Sequence, residues 1–313
     1  MTAVAAAFVT GCTSAPATAE PSADAYPLTL DNCGFETTFD KAPERVVTIK
    51  SSTTELLLSL GLGDRIVAQA FSDGPVPDEL RTEAESIEML SEKVPSQEAV
   101  LSLEPDLVFA GWESNLTAEG AGERSMLDSL GVGTYVAPAA CTEKGYAPNP
   151  LTFDDVFDGI AEAGRIFDVA DAASALVDEQ RSELAELAPD ERGLTAVWYS
   201  SGRDTPFVGA GTGAPQMIMS AAGLENIFGD VTESWTSASW EAVADQDPDV
   251  LVLVDSAWNT ADSKIELLRS GPVTSQLRAV RENRFLVVDF PATEAGVRNV
   301  SAVASLLDQL ASS

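Results

Sequence analysis

The ionisable residues of this 313-residue chain limit the chemistry that it can perform. It has 50 Asp plus Glu, 18 Lys plus Arg and no histidine, for a formal net charge of −32. The absence of histidine excludes Ser-His-Asp and Cys-His nucleophiles, the usual zinc cages and an axial histidine on haem. So negative a surface repels phosphate backbones, and we therefore expect no nucleic acid partner.

Carboxylate pairs are the main catalytic groups that remain. A cell-surface hydrolase could use a pair such as Glu113 and Asp255 as general acid and base. Such pairs arise readily by chance among 50 acidic residues, so this alternative has little force. We therefore predict that the protein is not an enzyme, that it needs no cofactor and that it holds no metal ion of its own.

Aromatic, cationic and hydroxyl side chains cluster where the predicted strands end. In open α/β sheets, ligands bind beyond the carboxyl ends of the strands. Three of the five Trp lie at such ends, which favours a flat ligand held by stacking. The alternatives are core packing for any one aromatic residue and ordinary surface charge for Lys50, Arg203 and Arg298. The predicted ligand-binding residues are Lys50, Ser51, Ser52, Phe71, Trp112, Glu113, Trp198, Tyr199, Ser200, Arg203, Trp258, Phe290 and Arg298.

The elements that position these residues alternate between short apolar strands and helices. This alternation predicts an α/β fold with parallel sheets. Helices are expected from Thr53 to Gly61 or Gly63, over 152–167, over 171–187 and from Thr293 onward. A chain of this length with 45% apolar residues predicts two lobes, with the boundary near 150–190. The predicted strands are 45–49, 65–70, 106–110, 132–136, 195–199, 249–254 and 284–288.

An internal repeat relates the two lobes. Residues 96–108 align without gaps on residues 239–251, with six identical positions and a constant offset of 143. Each copy reads as a short helix, a Pro-Asp turn and a buried strand, and each places a glutamate at its helix start, Glu98 and Glu241. One interpretation is that both only complement a helix N-terminus. Two matched copies favour paired surface contacts instead.

The N-terminus predicts an anchored, extracytoplasmic protein. The apolar stretch 3–9 is too short to span a bilayer, which needs about 20 residues. Val9-Thr10-Gly11-Cys12 resembles a bacterial lipobox, which implies cleavage before Cys12 and its lipidation. Residues 1–11 are then a signal, N-terminally incomplete because no Lys or Arg precedes Cys12, and 12–25 a flexible tether. A free thiol at Cys12 is the alternative.

The two remaining cysteines, Cys33 and Cys141, are available to pair outside the cytoplasm. They lie 108 positions apart. Two buried thiols are the alternative to a disulfide.

Several motifs together resemble one protein family. Residues 39–47, 54–57 and 61–67 resemble the opening of the solute-binding proteins of ABC importers for iron-siderophore complexes, haem and cobalamin. Glu98-Ala99-Val100 before residues 105–108, and the segment 223–228, match further motifs of that family. The resemblance covers about residues 26 to 310.

The resemblance implies a class III periplasmic-binding-protein fold, in which a rigid interdomain helix joins two Rossmann-like lobes. The lobes are expected at 26–167 and 191–313, with the connecting helix at 168–190. By position, Glu98 and Glu241 are the glutamates that dock into Arg pockets of an ABC permease. The implied protein is a monomer that is lipid-anchored at the outer face of the cytoplasmic membrane. It delivers a small-molecule ligand to a permease and its ATPase.

The ligand is the least determined part of this expectation. Segments 26–34, 111–115, 197–201 and 290–299 resemble an actinobacterial subgroup assigned to a precursor of the deazaflavin coenzyme F-420 that lacks the glutamate tail. The alternative within the family is a ferric siderophore or cobalamin.

Overall fold

The computed structural model describes residues 25–312, which alternate between strands and helices as expected. The strands are β1 (Leu28–Asn32), β2 (Phe35–Phe39), β3 (Val46–Ile49), β4 (Ile66–Ala70), β5 (Met89–Ser91), β6 (Leu107–Ala110), β7 (Gly133–Val136), β8 (Thr195–Ser201), β9 (Phe207–Gly209), β10 (Glu225–Asn226), β11 (Trp235–Ser237), β12 (Val250–Asp255) and β13 (Phe285–Asp289). The helices are α1 (Ser51–Ser59), α2 (Arg81–Ala84), α3 (Gln97–Leu101), α4 (Arg124–Ser129), α5 (Phe153–Ile166), α6 (Ala170–Glu186), α7 (Ala214–Ala221), α8 (Trp240–Gln246), α9 (Ala261–Ser270), α10 (Arg278–Arg281) and α11 (Asn299–Ala311).

Two sheets form the two lobes. The N-terminal lobe has a parallel sheet of order β5-β4-β3-β6-β7. The C-terminal lobe has a sheet of order β11-β9-β8-β12-β13, with β10 beside β8. In the second sheet β8, β10, β12 and β13 are parallel, whereas β9 and β11 are antiparallel to their neighbours. The predicted two-lobed α/β fold is therefore confirmed, with a mixed edge on the second sheet.

The central strands are apolar on both faces because helices cover both sides of a parallel sheet. Every residue of β3 and β6 is buried, and β12 is buried over Val250–Val254. The side chains of β3 divide between two clusters, Val46 on one face and Val47 with Ile49 on the other. Because these hydrophobic runs are continuous, the strands could be predicted from the sequence.

Two consecutive helices, α5 and α6, connect the lobes. The capping box expected at Thr152 and Asp155 is present at the start of α5. At Gly164 of α5 an added Cβ would lie 2.4 Å from the Cβ of Ala173 in α6, so the glycine allows the two helices to pack closely. The helix expected over 171–187 is α6.

The last helix begins later than expected. We predicted a helix from Thr293 onward, but residues 290–293 form a short 3₁₀ turn and α11 starts at Asn299. The intervening residues instead direct side chains towards the other lobe. Glu294 and Arg298 both lie in this segment.

A hairpin of β1 and β2 is attached to the N-terminal lobe. A disulfide between Cys33 and Cys141, with Cα atoms 5.1 Å apart, links the turn of this hairpin to the segment after β7. The buried Asn32 side chain bonds the backbone of Val136 in both directions, at 2.9 and 2.8 Å. The hairpin is therefore fixed to the sheet edge by covalent and polar contacts.

The structure between residues 25 and 312 has no helix that is long and apolar enough to cross a membrane. Cys12, the predicted signal and the predicted tether up to residue 24 lie outside the described residues.

Candidate functional site

A cavity of about 530 Å³ lies between the lobes, at the carboxyl ends of the strands. Aromatic side chains from both lobes form much of its wall. Trp112 follows β6 in the N-terminal lobe, and the C-terminal lobe contributes the others. Phe207 and Trp235 stack with ring centres 5.6 Å apart, and Trp258 meets Phe290 edge to face at 5.7 Å. The cavity is thus suited to a largely apolar or flat ligand.

Six of the thirteen predicted ligand-binding residues line this cavity. Trp258 is its most exposed aromatic side chain, with 64% of its surface accessible. Glu113 lines the wall, and its Oε2 accepts hydrogen bonds from the backbone N and the hydroxyl of Thr142, at 2.6 and 2.5 Å. The six residues are Ser52, Trp112, Glu113, Ser200, Trp258 and Phe290.

The predictions for Trp198 and Tyr199 are wrong. Both lie in β8, where Trp198 is 0% and Tyr199 1% exposed, because this central strand is covered on both faces. Trp198 belongs to one hydrophobic cluster and Tyr199 to another, and the Tyr199 ring packs against Trp240. These are the core-packing alternatives that the sequence left open.

Arg203 is also misplaced by the prediction. It is exposed and does not line the cavity, and its backbone carbonyl accepts a hydrogen bond from the Trp240 indole at 2.6 Å.

The carboxylate pair suggested for a hydrolase is not assembled in the cavity either. Glu113 lines it, but Asp255 does not, and Asp255 Oδ1 accepts a hydrogen bond from the Ala261 backbone N at 2.6 Å.

Lys50 is buried and does not line the cavity. Its side chain is 0% exposed and forms an ion pair with Asp73. Its ammonium group lies 3.5, 4.4 and 5.0 Å from the ring centres of Trp112, Phe71 and Phe290. The positive charge is therefore already surrounded by π faces and a carboxylate of the protein. Phe71 contributes to this cage and not to the cavity wall.

The backbone at Lys50 is strained in order to place this side chain. Lys50 precedes α1 with φ 88° and ψ 150°, a region that is almost restricted to glycine. A Cβ on Gly111 would lie 2.7 Å from the Lys50 Cβ, so only glycine leaves room at that position. The neighbouring Ser51 accepts a hydrogen bond from the Asp73 backbone N at 2.9 Å. Ser51 is thus part of the same buried network.

Two charged contacts cross between the lobes beside this network. The Arg298 guanidinium donates two hydrogen bonds to the Glu55 carboxylate, at 2.6 and 2.5 Å, and a third to the Pro75 carbonyl at 2.6 Å. Burial raises the pKa of Glu55, and the hydrogen bonds and charge of Arg298 oppose that shift. Arg298 therefore joins the lobes and is not available to a ligand.

Glu294 forms the second contact and was not predicted. Its Oε2 accepts a hydrogen bond from the Ser52 hydroxyl at 3.2 Å, and its Oε1 lies 3.5 Å from the Lys50 ammonium. The pKa of Glu294 is raised to about 7, mainly by burial and further by the charge of Asp73. The charge of Lys50 and hydrogen bonds from Trp112 and Ser52 oppose this shift. Glu294 also lines the cavity. Nothing in its local sequence distinguishes it among 50 acidic residues.

A second buried lysine supports the loop that carries Trp258. Lys264 of α9 is 1% exposed and donates hydrogen bonds to the carbonyls of Val254 and Asn259, at 2.5 and 2.6 Å. Burial lowers the pKa of Lys264 to about 8, and the charge of Asp255 opposes this shift. The lysine joins the end of β12 to the far side of the Trp258 loop.

The internal repeat is present in the structure as α3–β6 and α8–β12. Ser96 caps the first helix by accepting from the Ala99 backbone N, and Ser239 caps the second in the same way through Ala242. Glu98 and Glu241 lie in the first turns of these helices and are exposed. Both glutamates are accessible to a partner. Over the described part of the chain, no group of three or more Cys, Asp and Glu is arranged to hold a metal ion.

Comparison with known proteins gives a consistent result. Residues 46–292 match the model of the periplasmic binding protein family. An uncharacterized ABC transporter substrate-binding lipoprotein of Bacillus subtilis, YvrC, is 26% identical over 301 residues, which cover 93% of this chain and 88% of that protein. A cobalamin-binding protein of Halobacterium salinarum is 31% identical over 249 residues, 74% of this chain and 60% of that protein.

A solved structure shows the same architecture. The ABC-type Fe3+-hydroxamate transport system protein from Saccharomonospora viridis superposes with a TM-score of 0.78 at 27% identity, covering 91% of this chain and 99% of that one.

Proposed function

The chain belongs to the periplasmic binding protein family, and on that premise we propose that it captures a small organic or metal-chelate ligand outside the cytoplasm and delivers it to an ABC permease and ATPase. The observation that carries the proposal is the cavity of about 530 Å³ between the lobes, with aromatic walls from both. A site at the junction of two lobes can enclose a ligand, and capture of this kind requires no catalytic group.

The ligand proposals follow the resemblance and the relatives. They are a deazaflavin coenzyme precursor, a ferric hydroxamate chelate and cobalamin. Trp112, Trp235 and Trp258 line the cavity, so their fluorescence should report binding. Titration of the mature domain with each compound, followed by recovery of the compound, tests the proposal. Saturable quenching with the ligand recovered intact is expected; no quenching by any of them, or a chemically altered ligand, contradicts it.

We further propose that Glu98 and Glu241 dock on the permease. The support is that two equivalent helices, one in each lobe, present an exposed glutamate in the first turn. Charge reversal of both should abolish uptake and leave ligand affinity unchanged. Glu179→Lys, an equally exposed position on α6, is the matched control and should leave uptake intact. Loss of ligand affinity in the double variant would contradict the assignment.

Lipid anchoring through Cys12 is also proposed, from the lipobox resemblance and the small, Pro-containing sequence that follows it. The wild-type protein should partition with membranes, and Cys12→Ser should release it. Equal partitioning of the two proteins would exclude this anchor.

We propose that the protein acts as a monomer.

A further inference from the structure

The charges that reach the cavity are of one sign. Among the described residues, the only ionisable side chains of its lining are Glu113 and Glu294, and neither Lys nor Arg lines it. Phosphate- and carboxylate-binding sites are normally built from Arg, Lys or groups of free backbone N–H donors. The wall of this cavity has the opposite character.

The cations nearest to the cavity are already neutralised. Lys50 is enclosed by Asp73 and three aromatic rings. Arg298 is engaged by Glu55 and the Pro75 carbonyl. An anionic ligand would have to break one of these contacts, whereas a cationic ligand meets carboxylates directly. The net charge of −32 adds to this preference over the range that salt leaves unscreened, about 8–10 Å.

Glu294 contributes a carboxylate to the cavity wall. Its Oε1 is buried and lies 3.5 Å from the Lys50 ammonium, and its Oε2 accepts a hydrogen bond from the Ser52 hydroxyl. In Glu113 both hydrogen bonds from Thr142 end on Oε2. Glu113 thus keeps its second oxygen for a ligand donor, and Glu294 adds a carboxylate to the same wall.

The aromatic walls strengthen the same preference. Trp112, Trp235, Trp258, Phe207 and Phe290 present π systems to the cavity. Aromatic faces attract cations when water is excluded, and the protein uses this attraction itself to hold Lys50. Carboxylates and aromatic rings together form the kind of wall that binds alkylammonium groups.

From these contacts we infer that the cavity selects solutes with a protonated amine or similar N–H cation, which it binds through Glu113, Glu294 and the surrounding rings in preference to neutral and anionic analogues. This inference rests on the proposed function and specifies its substrate class. It ranks the ligand proposals by their charge.

A series of three chelates that differ at one terminal group, and in its charge, tests the inference. Ferrioxamine B carries a pendant ammonium group, its N-acetyl derivative is neutral and its N-succinyl derivative is anionic, while the ferric trihydroxamate is the same in all three. We expect affinity for the full mature protein, measured by Trp quenching, to fall about fivefold or more at each step. Equal or reversed affinity would overturn the inference.

Glutamine variants locate the effect. Glu113→Gln and Glu294→Gln should each reduce the ratio between cationic and anionic affinities by about fivefold. Glu179→Gln is the matched control, because it removes the same charge from an exposed position of α6 outside the cavity lining. A ratio that changes equally in all three variants would show general screening and contradict a built site.

The pH dependence has a definite sign. Glu294 faces Lys50 and Asp73, which belong to the N-terminal lobe, and the Glu55–Arg298 pair lies beside them. Since the pKa of Glu294 is about 7, its charge develops between pH 6 and 8. Affinity for ferrioxamine B should therefore rise over that range, and in Glu294→Gln it should stay flat. A fall with pH in the wild type would contradict the inference.

A measurement without any ligand separates failure of this inference from failure of the proposed function. Each quenching constant is divided by that of free N-acetyltryptophanamide, because iodide is intrinsically the stronger quencher of indole. On that scale caesium should quench the protein more strongly than iodide at equal ionic strength, and the double variant Glu113→Gln/Glu294→Gln should narrow the difference. Normalised iodide quenching equal to or stronger than that of caesium would overturn the charge assignment even if some chelate binds. If none of the chelates, cobalamin or the deazaflavin precursor quenches, the proposed function fails, and the substrate class fails with it.

Discussion

Each lobe buries one lysine near the cavity end of its sheet, and the two lysines are compensated differently. Lys50 of the N-terminal lobe is paired with Asp73 and enclosed by aromatic rings. Lys264 of the C-terminal lobe donates to two backbone carbonyls. A carboxylate compensates a buried ammonium group by its charge, whereas carbonyls do so through their dipoles. Burial lowers the pKa of Lys264 to about 8, and the charge of Asp255 opposes this shift.

The difference also separates two tasks. Lys50 contacts residues of both lobes, since Phe290 and Glu294 belong to the C-terminal lobe, so it fixes the relative position of the lobes. Lys264 acts within its own lobe and fixes one loop, 255–260, which carries Trp258. Removing each lysine should therefore have effects of different size and reach.

The largest effect is expected from Lys50→Met, which keeps the length of the side chain and removes its charge. Asp73 would then be buried without its partner, and such a change costs about 3–5 kcal/mol in the free energy of unfolding. Urea unfolding followed by far-UV circular dichroism measures it. The double variant Lys50→Met/Asp73→Asn should recover part of the loss. A loss below about 1 kcal/mol in the single variant is incompatible with a shared buried network.

A smaller effect is expected from Lys264→Met. It leaves the carbonyls of Val254 and Asn259 without their donor, but it buries no unpaired carboxylate, so we expect a loss of about 1–3 kcal/mol. The same unfolding experiment compares it with Lys50→Met. Since the loop carries Trp258, its emission should also change. If Lys264→Met were the more destabilising of the two, the proposed difference between the lysines would be wrong.

The pH dependence of stability should report Lys264 separately. Its pKa is about 8 in the folded protein and 10.5 when unperturbed, so between these values the unfolded chain binds more protons and stability rises with pH. Lys264→Met should lack that rise. Unfolding at pH 7, 8 and 9 suffices, because the pKa values of Tyr26, Tyr135, Tyr146 and Tyr199 are all raised, and their opposite effect on stability sets in as the pH approaches the unperturbed value of 10. Parallel profiles for the two proteins would exclude the lowered pKa.

The sequence predicted the fold better than it predicted the site. Apolar runs such as Val46–Ile49 identify buried parallel strands, and the repeat around Glu98 and Glu241 was found because both copies are contiguous. The short antiparallel strands β9 and β11 gave no comparable signal. The cavity residues Phe207 and Trp235 were missed for that reason.

The sequence indicated at which edge of a sheet the site residues lie. It did not indicate where their side chains point or which side chains they contact. Trp198 and Tyr199 lie inside β8, which continues to Ser201 and is covered on both faces, so they pack inside the lobe. Lys50 was placed at the right edge, but Asp73 and Glu294, which neutralise it, come from distant segments without any recognisable motif. Ion pairs between segments that are distant in the chain produce no periodic pattern in a single sequence.

The smallest effect on stability is expected at the loop that Lys264 supports. Trp258 is 64% exposed, and its ring contacts Phe290 at the cavity wall, so Trp258→Ala should change the free energy of unfolding by no more than about 0.5 kcal/mol. Affinity for a ligand that fills the cavity should fall about tenfold, because one aromatic contact is lost. Met89→Ala, at an exposed residue outside the cavity lining, is the control and should change neither quantity appreciably. A large loss of stability in Trp258→Ala with unchanged affinity would mean that the loop serves the lobe itself, and Lys264 would then support structure alone.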